Sequence, residues 1–258
     1  DARLRSLLRA VTQRKTGARM GQTEFLTSPQ GRKLAYHRTP GAQPGVVFLG
    51  GFKSDMEGTK AVHLEAWAKR TGRAFLRFDY SGHGESSGAF TDGCIGDWAE
   101  DARAVIEALT EGPQVLVGSS MGGWISLLCA RDMPDKVAGL VTIAAAPDFT
   151  EDSMWAGFDA DQRAALERDG QVALPSDYGE PYIITRKLIE DGRRHLVLRE
   201  ALRLPFAVRF LQGTADEDVD QAVALRLLAH SEGPDMRLTL VDGADHRFSD
   251  AECLALIE

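Results

Sequence analysis

From about residue 24 onward, short apolar runs alternate with stretches whose apolar residues recur near every 3.6 positions. Val46-Val47-Phe48-Leu49, residues 74–78, Val115-Leu116-Val117 and residues 137–144, 206–211 and 237–241 read as strands. Between them, residues 59–70 bring Ala61, Leu64 and Trp67 onto one helical face. Residues 97–109 do the same with Trp98, Val105, Ile106 and Leu109, and helices over 121–131 and 221–230 complete the series. Unbroken apolar strands are buried on both faces, and helical crossovers between them join parallel neighbours. The expectation is an α/β chain with a mostly parallel sheet flanked by helices. Residues 24–27 and 33–38 add an opening hairpin across Ser28-Pro29-Gln30-Gly31. Open sheets of this kind carry their sites beyond the carboxyl ends of the strands. That singles out Gly50-Gly51, Asp79, Gly118-Ser119-Ser120 and the turn after Phe210-Leu211.

The rhythm breaks over about residues 147–204, where Pro147, Pro175 and Pro181 interrupt short helical stretches. Too short for a large core of its own, this segment reads as a small helical cap inserted into one domain spanning 21–258. Residues 1–20 stand apart. Arg3, Arg5, Arg9, Arg14, Lys15 and Arg19 face one acid, Asp1, with Leu4, Leu7, Leu8 and Val11 at helical spacing. They read as a basic N-terminal extension outside the fold.

Composition narrows the function. A formal net charge of -8 argues against nucleic acid as partner, because binding phosphates needs a concentrated basic face. No apolar run approaches the roughly 20 residues of a membrane span. Cys94, Cys129 and Cys253 are odd in number and irregularly spaced, which fits neither a disulfide framework nor a zinc site. A reducing, cytoplasmic compartment is expected.

Gly118-Ser119-Ser120-Met121-Gly122 fits G-x-S-x-G, with Gly123 following, a strand before and an apolar helix after. In that context the serine sits on a strained strand-to-helix elbow. A serine hydroxyl is a poor nucleophile until a base takes its proton. That base belongs on a late loop, with the acid between the two in sequence. His246, in Gly243-Ala244-Asp245-His246, is the histidine in the final loop position. Its rival His83, in Gly82-His83-Gly84, precedes the serine and so has the wrong chain order; it reads as loop structure or pocket lining. Within Gly213-Thr214-Ala215-Asp216-Glu217-Asp218-Val219, Asp216 comes first in the turn and is the expected acid, with Asp218 the runner-up. An oxyanion needs two backbone donors. The Met121 amide follows the nucleophile at a helix start, and the Phe52 amide lies on the loop that Gly50-Gly51 allow to approach. Asp79 reads as a structural acceptor for loop amides.

These motifs resemble the α/β-hydrolases related to the mitochondrial mycophenolic acid acyl-glucuronide esterases, also known as palmitoyl-protein thioesterases. The resemblance runs from about Gly21 to the C-terminus. It is carried by the segment from Gly50-Gly51-Phe52-Lys53-Ser54 through Asp55-Met56-Glu57-Gly58-Thr59-Lys60-Ala61, by Arg77-Phe78-Asp79-Tyr80-Ser81-Gly82, by Val117 with the elbow and Trp124, by Asp245-His246-Arg247, and by Leu174-Pro175-Ser176-Asp177-Tyr178. Members of that group can carry Pro-Gly where this chain has Gly50-Gly51, and Gly where it has His83. The resemblance implies the α/β-hydrolase fold and esterase or acyl-protein thioesterase activity. The residues themselves imply a serine triad acting on a small ester or acylated substrate without cofactor or metal. Acyl transfer or cofactor-free perhydrolysis by the same triad is the alternative chemistry. A silent binding module is disfavoured by the complete triad, and dehalogenation by a serine where that reaction needs a carboxylate.

Overall fold

The computed structural model describes residues 22–174 and 181–258. The basic extension at 1–20 and the part of the resemblance at 175–178 lie outside the described residues. In chain order the strands are β1 (Glu24–Thr27), β2 (Lys33–Thr39), β3 (Ala42–Leu49), β4 (Arg73–Phe78), β5 (Gln114–Ser119), β6 (Val137–Ile143), β7 (Gln171–Leu174), β8 (Tyr182–Thr185), β9 (Leu202–Arg203), β10 (Ala207–Gly213), β11 (Ser231–Glu232) and β12 (Asp235–Val241). The α-helices are α1 (Thr59–Thr71), α2 (Ile95–Leu109), α3 (Met121–Asp132), α4 (Ala160–Asp169), α5 (Arg186–Gly192), α6 (Gln221–His230) and α7 (Ala251–Leu256).

Eight strands form one sheet in the order β1-β2-β4-β3-β5-β6-β10-β12. β1 and β2 are antiparallel, as are β2 and β4, and every other pairing is parallel. The mostly parallel sheet expected from the alternation is observed, and it has the strand order of the fold that the resemblance implies. Its two faces bury different layers. On one, Trp98 and Ile106 of α2 and Trp124 and Leu127 of α3 are fully enclosed against Leu76, Leu116 and Leu140 of the sheet. On the other, Ala61, Leu64 and Ala68 of α1 pack with Phe75, Val117 and Cys253. No described helix is long and apolar enough to cross a membrane.

Residues 144–206 leave the sheet after β6 and return at β10. They hold a π-helical turn (Thr150–Trp155), α4, the antiparallel pair β7–β8 and α5. The cap is therefore less helical than its prolines imply. Val172, Ile183 and Ile184 are β-branched and fit a pleated, half-buried surface better than a helix. The cap's two ends are tied by Asp148, which is fully buried. Its carboxylate accepts from the Val197 amide at 2.8 Å, the Leu198 amide at 3.0 Å and Arg199 Nη1 at 3.1 Å. Arg199 and Arg226 then both pair with Asp152.

Candidate active site

β5 runs straight into α3 through Ser120, whose φ of 54° and ψ of -117° lie outside the ordinary basins for a side-chain-bearing residue. Two glycines make so sharp a reversal possible. A Cβ on Gly118 would sit 2.3 Å from the Gly122 carbonyl oxygen, and one on Gly122 would sit 2.0 Å from that of Leu49. The backbone of the elbow is pinned from β6. The Ser120 amide donates to Ile143 O at 2.9 Å, and Ser120 O accepts from Ala146 at 3.1 Å.

Three strand ends converge here. Asp216 follows β10, His246 follows β12, and Ser120 follows β5. His246 Nε2 lies 3.1 Å from Ser120 Oγ, and its Nδ1 lies 3.0 and 2.9 Å from the two oxygens of Asp216. Ionised Asp216 only accepts, so Nδ1–H donates to it. Nε2 is left as the acceptor facing the serine hydroxyl. The Asp216 side chain is fully shielded from solvent. It also accepts from the amides of Asp218 at 2.9 Å and Val219 at 2.8 Å, and from Gln212 Nε2 at 2.9 Å. Burial pushes this carboxyl up, but the hydrogen bonds from His246, Val219 and Gln212 outweigh it and hold the group below its ordinary value. Asp216 thus stays ionised beside the imidazole.

Asp218 offers its amide to Asp216 while its side chain is exposed, and Asp220 caps α6 by accepting from the Ala222 amide at 2.7 Å. Asp216, Asp218 and His246 are the one described group of three metal-type ligands whose atoms lie within 4.8 Å of one another. Both Asp216 oxygens and Nδ1 of His246 are already engaged with each other, so the set is built to orient an imidazole rather than to hold a cation.

The loop after β3 passes over the nucleophile. A Cβ on Gly51 would sit 3.5 Å from that of Ser120. This brings Phe52 to one side of Ser120, while Met121 opens α3, where first-turn amides have no helical acceptor. The far end of the loop is clamped at Met56. Its amide donates to Asp79 Oδ1 at 2.6 Å, and its carbonyl accepts from Arg77 Nη1 at 2.8 Å. Asp79 also takes the Glu85 amide at 2.9 Å, which fits its reading as a structural acceptor. The Phe52 ring stands edge-on to Phe90, Phe149 and Tyr182, at centroid separations of 4.8, 5.6 and 6.0 Å. These rings make an aromatic rim on the loop that passes Ser120, with Lys53 Nζ 5.4 and 5.0 Å from the Phe90 and Tyr182 centroids.

Sequence reasoning missed two supports. Gln212 is a fully buried amide near the end of β10, just before the loop that bears the acid; with Arg209 already polar in the same strand, nothing in the sequence singled it out. Lys60 of α1 donates to the carbonyl of Arg247, next to His246, and nothing local marks the pairing.

Residues 48–187 match the model of the alpha/beta hydrolase fold family. The chain is 35% identical over 235 residues to the mitochondrial palmitoyl-protein thioesterase ABHD10 of Rattus norvegicus, covering 90% of this chain and 79% of that protein. Among solved structures it is similar to a hydrolase from Agrobacterium vitis S4, with 41% identity, a TM-score of 0.88 and coverage of 91% and 95% of the two chains. It is also similar to mouse alpha/beta hydrolase domain-containing protein 10, with 34% identity, a TM-score of 0.85 and coverage of 92% and 95%.

Proposed function

This chain belongs to the alpha/beta hydrolase fold family, and from that membership we propose a serine hydrolase that cleaves carboxylic ester or thioester bonds through an acyl-enzyme. The observation that carries the reading is the unbroken hydrogen-bonded run from Ser120 Oγ through His246 to Asp216. Ser120 Oγ attacks the substrate carbonyl carbon as His246 Nε2 takes the hydroxyl proton. The carbonyl π pair moves onto oxygen, where the amides of Phe52 and Met121 receive it. Collapse expels the alcohol or thiol, which recovers the proton from His246. Water then repeats the sequence on the acyl-enzyme, releasing the carboxylic acid and Ser120. Asp216 fixes the tautomer and offsets the positive charge on His246 during each transfer without itself being protonated.

The aromatic rim of Phe52, Phe90, Phe149 and Tyr182 favours an apolar acyl group, and the thioesterase name of the mammalian relative supports acyl thioesters as substrates. The test is covalent labelling with a fluorophosphonate, followed by turnover of nitrophenyl esters and acyl thioesters. Ser120→Ala is expected to abolish labelling and lower kcat by about 10⁴-fold or more while the fold is kept. Near-native turnover in that variant would remove Ser120 from the mechanism.

A further inference from the structure

His83 stands where chain order rules out a role as the triad's base, yet it is almost wholly buried and both its ring nitrogens are used. Nε2 lies 3.3 Å from the Lys53 amide nitrogen, and Nδ1 lies 3.1 Å from the Ser81 carbonyl oxygen. The partners decide the proton's place. A backbone amide only donates and a carbonyl only accepts, so Nδ1 carries the hydrogen and Nε2 is a bare acceptor. The ring is held edge-on by Tyr80, Phe90 and Trp98 at centroid separations of 5.6, 5.2 and 5.1 Å. Lys53 itself has a φ of 56°, a conformation that a non-glycine residue keeps only where its surroundings enforce it. Its neighbour is Phe52.

We infer that His83 is a positioning residue, a neutral acceptor that grips the Lys53 amide and so aims the adjacent Phe52 amide at the reaction's oxyanion. The inference rests on the hydrolase reading and on Phe52 as an oxyanion donor. Asp79 and Arg77 hold the loop at Met56, four residues beyond Phe52, whereas His83 holds it one residue away. Burial pushes the imidazole's pKa down, which keeps Nε2 free to accept. A protonated ring would set an N–H against the Lys53 N–H.

The experiment compares His83→Phe, which fills the aromatic niche without an acceptor, with His83→Gln, which returns an acceptor oxygen at the reach of Nε2. His83→Phe is expected to lower kcat for a nitrophenyl ester about 100-fold, the scale of a misplaced group and the lower end for a lost oxyanion donor, with KM nearly unchanged. Its affinity for a trifluoromethyl ketone, which forms a hemiketal with Ser120 and needs the same donors, is expected to fall by the same factor as kcat/KM. His83→Gln is expected to recover most of both losses. A folded His83→Phe enzyme with kcat within about twofold of wild type, or equal impairment in the two variants, would overturn the assignment. Should the variants not fold, ¹⁵N spectroscopy of the wild-type histidines decides. Nε2 is expected to read as unprotonated, and an Nε2–H tautomer would reject the grip. That readout needs no turnover, so a failed grip is distinguishable from a failed hydrolase reading, which would show as a wild type without Ser120-dependent activity.

Discussion

Asp216 and Asp218 lie two positions apart on one turn, yet the structure gives them different tasks. Asp216 is enclosed and receives four donors, whereas Asp218 lends it an amide and leaves its own carboxylate in solvent. Asp216→Asn is therefore expected to cost about 10⁴-fold in kcat, because His246 loses the partner that sets its tautomer. Asp218→Asn is expected to leave kcat within about twofold, since a surface carboxylate outside a network contributes little. Steady-state kinetics on one ester separate the two, and the reverse ranking would move the acid to Asp218. Ser120, His246 and Asp216 were legible in the chain because short-range rules point at them: a glycine-flanked serine after an apolar run, and loops in a fixed order. Lys60 was not, since the Arg247 carbonyl it meets lies 187 positions away; Gln212 was not either, because its bond to Asp216, four positions on, depends on the course of the intervening turn.

Among the elements, the parallel strands and crossover helices could be read because each repeats one period over its length. The β7–β8 pair could not. It has four residues per strand and is flanked by Pro175 and Pro181, so its apolar residues fit either period until the partner strand is known. The helix α7 was missed for the same reason of brevity. Its Asp250 cap, accepting from the Glu252 and Cys253 amides at 2.9 Å each, is its clearest sign. The cap supplies Phe149 and Tyr182 to the rim, so cap placement should govern how well acyl chains bind. Each methylene buried there is worth about 0.8 kcal/mol, or roughly fourfold in kcat/KM. A rise in kcat/KM from two-carbon to at least six-carbon nitrophenyl esters is the expected result, and a steady decline beyond the acetyl ester would exclude an apolar acyl groove. Asp148→Ala strands the buried amides of Val197 and Leu198. It is expected to flatten that chain-length dependence and lower the melting temperature, with acetyl ester turnover changed least.

For the molecule as a whole, charge inside the fold sets the acid limit of stability. Burial pushes Glu65 up, but hydrogen bonds from Lys69, Thr39 and Arg77 prevail and hold it below its ordinary value; Asp191 is likewise depressed, by His195 and the Gly96 amide against the same burial. A carboxyl depressed in the folded state adds stability above its unfolded value, near 4, and loses that contribution as the pH falls through the folded value. Glu65→Gln is expected to melt at lower temperature than wild type at pH 7. The difference should shrink steadily below about pH 4, where the wild-type carboxylate gains its proton. A gap that stays constant down to pH 2 would mean that Glu65 acts through packing rather than through charge.

The nucleophile, acid and base are borne by strands that stand fifth, tenth and twelfth along the chain. His246 is delivered only when β12 has docked along β10, and β10 along β6. A chain that has formed its elbow but not the β10–β12 pairing holds an inert alcohol, so catalytic competence waits on that pairing. A reagent that acylates Ser120 would consequently count finished sheets rather than chains. During refolding, the growth of labelling should trail the return of helical signal by the time β12 takes to find its place.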